Sequence, residues 1–151
     1  MDKTHSYTYF GIESNGEIDS RGLVGYEKGV FDPDDITKAL GIKPFKCWKK
    51  GDKRRNGHQY LFSSWEAEKS NIERLDVEAQ CMETIKNLKN KIPILKQIKE
   101  QYDVNYVLMI VSKIYDEEQP MISFNEGIIE FCYLTGTTIS VDMFINSNDI
   151  L

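Results

Sequence analysis

A chain of 151 residues with 40% hydrophobic and 28% charged side chains can bury one core without disulfide or metal staples, and is too apolar to be a disordered polyelectrolyte. Its net charge of −5 argues against a surface that is basic throughout. Cys47, Cys81 and Cys132, an odd number at separations of 34 and 51 positions, fit neither a disulfide framework nor a C-x-x-C metal site and are expected to be reduced thiols. No run approaches the roughly 20 apolar residues of a membrane span. The amino end MDKTHSYTYF has no apolar stretch of signal-peptide length. The expectation is a cytoplasmic protein with no membrane contact, folded as a single domain over residues 1–151.

The first segment, SYTYFGI, is aromatic and β-branched and predicts a strand ended by the turn residues Ser14-Asn15-Gly16. Leu23, Val24 and Tyr26 could pair back as a second strand, although Gly16, Gly22, Gly25 and Gly29 weaken it. FDPDDITKALG predicts a short helix. Asp32 is its N-cap, Pro33 stands where a missing N–H costs nothing, Asp34 and Asp35 face the positive end of the helix dipole, and Gly41 supplies a left-handed stop. Ile36, Ala39 and Leu40 form its apolar stripe. KKGDKRRNG then combines cations with turn residues, which predicts a loop at the tip of a hairpin leading into HQYLFSSW.

From Asp76 onward, Val77, Cys81, Ile85, Leu88, Ile92, Leu95, Ile98 and Tyr102 recur every three or four positions, the spacing of one helix face. Pro93 predicts a kink or break near residues 90–93, and Lys86, Lys89, Lys91, Lys96 and Lys99 read as a solvated opposite face. VNYVLMIVSKIY is too apolar to be half exposed and predicts a central strand. Ser123 and Glu126 have the spacing of a capping box for a helix running to about Leu134 before Gly136. TTISVDMFIN alternates and predicts a closing strand, with Ile139, Val141, Met143 and Ile145 on one side. The fold class is therefore α+β: a mostly antiparallel sheet of about four to six strands, packed by one long, Pro-interrupted helix and two short ones. No local pattern sets the strand order or the oligomeric state.

FDPDDITKALGIKP, KKGDKR, the isolated Trp65 in SSWEAEKS, the long helix and the ending PMISFNEGIIEF with TGTTISVDMF, in that order, resemble the bacterial domain-of-unknown-function family 4279 from about Phe31 to Phe144. The resemblance implies a compact α+β domain, usually encoded alone, without an established chemistry. Small bacterial proteins of this kind are often suspected of being immunity partners of toxins, an analogy of fold rather than of site.

Charge is unevenly spread. Residues 43–55 hold seven basic side chains and one acidic, a local +6, which leaves 12 basic and 23 acidic elsewhere, a balance of −11. Lys46, Lys49, Lys50, Lys53, Arg54 and Arg55 could neutralise phosphates beside Trp48, which would make this loop an anion or nucleic-acid site. The acidic remainder opposes that use, and Asp142, Glu66 and Glu68 are candidate internal partners that would make the loop structural. The rival surface is acidic: Asp34, Asp35, Asp116, Glu117 and Glu118 could meet a protein partner with a basic surface. Cys47 and His58 flank the basic loop and could meet across a hairpin, where lysines would lower the thiol pKa; chance explains the pair better, and no catalytic residue is assigned. No string matches a phosphate-binding Gly-rich loop or a metal-ligand spacing, so no metal or cofactor is expected. The sequence alone favours a non-enzymatic interaction module of immunity type that neutralises a basic partner such as a toxin. Its alternative is nucleic-acid or phosphate-ligand binding through residues 46–55.

Overall fold

The computed structural model describes residues 3–19, 22–25, 30–71, 75–115 and 118–146, and within 16–25 the backbone alone. In chain order the elements are β1 (His5–Ser14), β2 (Gly16–Asp19), β3 (Gly22–Gly25), α1 (Pro33–Leu40), β4 (Lys46–Trp48), β5 (Ser64–Glu66), α2 (Val77–Lys86), α3 (Ile92–Gln101), β6 (Val104–Tyr115), α4 (Glu126–Thr135) and β7 (Thr137–Asn146). Five strands form one sheet in the order β4-β5-β1-β6-β7, and β2 pairs with β3 as a separate ribbon. Leu23 and Val24 do lie on that second strand, paired with Ile18 and Glu17; Tyr26 and Gly29 lie outside the described residues. The class is α+β. The sheet is mixed rather than mostly antiparallel, because β7 runs parallel to β6. The connection between them contains α4, and such a helical crossover returns the chain to the end from which it started. Alternation along TTISVDMFIN gives the faces of β7 but not its direction.

Period two along β1 divides the sheet into two unlike faces. Phe10 and Ile12 stand in register with Leu108 and Tyr106 of β6, and Ile12 with Trp65 of β5. All five join one buried cluster with Ile36, Leu40, Val77, Cys81, Ile85, Leu95, Ile98, Ile128 and Phe131 from the helices and Leu88 from the turn after α2. The helices therefore cover one face, and Tyr7, Tyr9 and Glu13 of β1 point to the other. Where α2 crosses the first half of β1 the contact is polar. Ser6 Oγ donates to Gln80 Oε1 at 2.9 Å, Gln80 Nε2 donates to the Ser6 carbonyl at 2.8 Å, and Thr8 Oγ1 is bonded to Ser70 and Thr84 at 3.1 and 2.7 Å.

Local signals explain most helix ends. Asp32 accepts from the Asp34 N–H, and Gly41 takes φ 66°. The buried face of α1 is Pro33, Ile36 and Leu40; Ala39 is exposed, a correction to the expected stripe. The Pro93 break is present, since α2 stops at Lys86, a 3-10 turn spans Lys89–Lys91, and Pro93 sits in the first turn of α3. The apolar stripe survives the break: Val77, Cys81, Ile85, Leu88, Leu95 and Ile98 are all buried. The expected capping box is not formed. Asn125 caps α4 by accepting from the Ile128 N–H at 3.0 Å, while the Ser123 hydroxyl donates to Glu78 of α2 at 2.6 Å. Lys99 also leaves the expected solvated face, donating to the Gly136 carbonyl at 2.7 Å and lying 4.8 Å from the Tyr106 ring centre.

Candidate anion-binding site

The basic segment is a built hairpin. β4 and β5 pair antiparallel, Lys46 opposite Glu66, Cys47 opposite Trp65 and Trp48 opposite Ser64. Beyond Trp48 the chain stays laddered. Asp52 accepts from the Lys49 N–H at 2.8 Å, the Gly51 and Tyr60 N–H groups reach the carbonyls of Tyr60 and Asp52 at 2.8 and 2.9 Å, Lys53 bridges Gln59, and the Arg54 N–H donates to the His58 carbonyl at 2.7 Å. Gly51 and Gly57 have φ of 93° and 82°, conformations that favour glycine. Asp52, the one acid in the segment, thus folds the turn. At the base, Ser63 exchanges bonds with Ser14 at 2.8 and 3.0 Å, tying the hairpin to the end of β1.

Aromatic rings hold two of the cations. Trp48 stacks on Tyr60 with centroids 4.5 Å apart and planes at 15°, and meets Phe62 edge-on at 5.6 Å. Lys46 lies 5.1 Å from the Trp48 ring centre and Arg54 5.3 Å from that of Tyr60, within the reach of cation–π attraction. Trp48 therefore supports the hairpin and its cations, and its ring is already packed. Lys46, Arg54, Arg55, Asn56 and Tyr60 line an open cleft of about 440 Å³. Among the described residues no carboxylate lines it. Among the described residues, no salt bridge engages Lys46, Lys49, Lys53, Arg54 or Arg55.

The internal partners expected for these cations are mostly elsewhere. Asp142 is on β7, the opposite edge of the sheet from β4, about 19 Å away at four strand spacings, so it does not pair with the loop. Glu68 lines a different pocket with Lys69. Glu66 does face Lys46 across β4 and β5. Burial raises its pKa, and Lys46 and Lys69 pull it back.

The aromatic surface continues beyond the segment that composition singles out. Lys69 lies 4.5 Å from the Tyr7 ring centre and 5.2 Å from that of Phe45, and Tyr7 stacks on Tyr9 at 6.4 Å. Burial, with the charges of Glu66 and Glu13, pushes the Tyr9 hydroxyl up to about 12. Burial and Glu66 likewise raise Glu13. Period two in SYTYFGIES was the signal that could have put Tyr7, Tyr9 and Glu13 on one face; nothing local marks Lys69.

The Cys47–His58 pair is not formed. Cys47 belongs to the β4 register, and His58 sits near the tip with its N–H on Asn56 Oδ1 at 3.0 Å. The thiol pKa is raised by burial and by Asp34, Asp52 and Asp32, the reverse of the lowering expected from lysines. Cys81 and Cys132 are buried free thiols. Among the described residues no three His, Cys, Asp or Glu gather in a way that could hold a metal ion, and no helix is long and apolar enough to cross a membrane.

The acidic residues that are described, Asp34, Asp35 and Glu118, do not converge. Asp34 and Asp35 open α1, close enough to β4 for Asp34 to act on Cys47. Glu118 follows the far end of β6, its carbonyl accepting from Thr4 at 3.1 Å. Tyr106 is level with Trp65 and Cys47 through Ile12, and from there to Tyr115 the strand advances about 30 Å. Asp116 and Glu117 lie outside the described residues.

An open-faced mixed sheet with a cationic hairpin at one edge defines a small α+β domain. The chain belongs to the family Domain of unknown function (DUF4279), whose model matches residues 6–146. No curated protein and no solved structure matches it.

Proposed function

We propose that the domain binds the phosphodiester backbone of nucleic acid through the β4–β5 hairpin, without performing chemistry on it. The observation that carries this reading is the cleft lined by Lys46, Arg54 and Arg55 and, among the described residues, by no carboxylate; Glu66 faces Lys46 across the β4–β5 pair but does not line it. Arg54 and Arg55, at the tip of the exposed hairpin and without a salt bridge among the described residues, are free to release counterions from phosphates. The acidic remainder of the chain opposes this weakly, because charges more than about 8 Å away are largely screened at physiological ionic strength. Trp48 is engaged by Tyr60 and Phe62, so recognition falls on phosphates rather than on stacked bases and tolerates any sequence. A domain that neutralises a basic protein would instead need a continuous acidic surface, and Asp34 and Glu118 belong to opposite ends of the sheet. Buried free thiols suit action in a reducing cytoplasm.

Fluorescence anisotropy with a labelled single-stranded RNA tests the reading. Affinity should fall steeply with salt, and Lys46→Ala/Arg54→Ala/Arg55→Ala should flatten the log–log slope by roughly 2, at about 0.7 per phosphate contact. Absence of binding at low salt, or an unchanged slope in the triple variant, overturns it. A duplex of the same sequence, run alongside, reports which strand geometry the cleft prefers.

A further inference from the structure

The far edge of the sheet poses a separate question. β7 pairs along its whole length with β6 and, among the described residues, with no strand on its other side. An edge of ten residues offers a row of unpaired backbone groups, which monomeric proteins usually blunt with short strands, charges, proline or bulges. β7 has no proline, and Asp142 is its one charge. Its second half instead exposes large apolar side chains: Val141 at 41%, Met143 at 55%, Phe144 at 56% and Ile145 at 71% of their surface. Val141, Met143 and Ile145 are in register with Ile110, Ser112 and Ile114, which puts them on the helix-covered side. There α4 adds exposed Ile129 and Tyr133, one helical turn apart.

We propose that β7 is the interface for a second copy of the chain, the two strands pairing antiparallel about a two-fold axis through Met143 and joining their sheets into one. The run Ser140-Val141-Asp142-Met143-Phe144-Ile145-Asn146 selects both the partner and the register, because about Met143 it matches in residue type at every pair except Asp142 and Phe144. With Met143 opposite its own copy, Val141 meets Ile145, Ser140 meets Asn146, and Asp142 meets Phe144. Residues facing each other across an antiparallel pair share a face, so the apolar side chains fall together on the helix side. Moving the axis one residue back would set Asp142 against Asp142, a destabilising like-charge contact. A two-fold strand pair also closes on itself, using up the exposed edge in both copies.

Light scattering over a concentration series, with cross-linking in a Cys47→Ser background, tests this. The unsubstituted chain should reach the dimer mass, and Met143→Lys, which sets two ammonium groups face to face at an exposed position, should abolish the dimer while leaving the circular dichroism unchanged. Met143→Cys should oxidise to a covalent dimer, because directly opposed residues have Cα atoms about 4.5–5.5 Å apart, within disulfide reach. Val141→Cys should not, because its own copy lies four residues along the partner strand. A monomer at every concentration, or a dimer that persists in Met143→Lys, overturns the interface. Cross-linking of Val141→Cys as readily as Met143→Cys overturns the register.

Discussion

The two edges of the same sheet are built to opposite rules. β4 is three residues long and passes directly into a hairpin carrying five further cations, so it offers another strand little backbone and much charge. β7 is ten residues long, apolar on its helix-facing side, and carries one carboxylate. An edge that is short and charged stays free for a ligand, whereas an edge that is long and apolar invites a strand. The proposed polyanion site and the proposed self-association site would thus lie apart, with β5, β1 and β6 between them.

The largest effect is expected at the residue that ties the β4 edge to the body. Trp65 is fully buried, and its indole N–H donates to Thr37 of α1 at 3.1 Å. Trp65→Ala should cost about 3–5 kcal/mol in denaturant unfolding, with hairpin amides losing hydrogen-exchange protection before those of β6. A loss below about 1 kcal/mol would mean that the hairpin is not anchored through this ring. Next is the start of the β7 edge, where Gly136 holds φ 68°. An alanine there has to adopt a left-handed conformation at about 1–2 kcal/mol and displace the Lys99 ammonium, which lies 2.7 Å from its Cβ position. Gly136→Ala should therefore lower thermal stability and weaken dimerisation, leaving RNA affinity alone.

Trp48→Ala sharpens the contrast from the other side. Loss of the ring pair removes about 0.5–1.5 kcal/mol and frees Lys46 and Arg54 from their aromatic seats. RNA binding should weaken by anisotropy, while the dimer mass in light scattering stays the same. The smallest effect is electrostatic and belongs to the face between the edges. Burial raises the carboxyl pKa of Glu13 and Glu66 in the folded state, so protonation favours folding. Their contribution is fully present below the ordinary value of 4.5 and is lost as pH rises through the raised folded values. Glu13→Gln should flatten that decline and leave the chain slightly more stable at neutral pH, as read from unfolding midpoints across the pH series.

Features set by nearest neighbours were legible in the sequence: the Asp32 cap, the Gly41 stop, the stripe from Val77 to Ile98 and the break at Pro93 all follow from residues within a turn of one another. The hairpin was legible too, because glycine and asparagine mark its turns. What escaped depended on contacts distant in sequence. Ser123 has the spacing of a cap, but Glu78 of α2 takes its hydroxyl and Asn125 caps instead. Asp142 looked like a partner for the loop because period two gives the face of a residue and says nothing of which strand lies beside it. The cleft itself was half legible: its cations fall within one short segment, 46–55, but the distance of Asp142 from it follows from strand order alone.

The hydroxyl and amide contacts beneath α2 give that helix a single seat. An amphipathic helix resting on aliphatic side chains can slide or roll by a fraction of a turn at little cost, since one methyl group substitutes for another. Gln80 bonded to Ser6, and Thr84 to Thr8, cannot shift without stranding buried donors, at about 1–3 kcal/mol for each group left unpaired. Position along the strand is thus fixed by directional bonds, and the apolar residues further along the same helix need only supply adhesion.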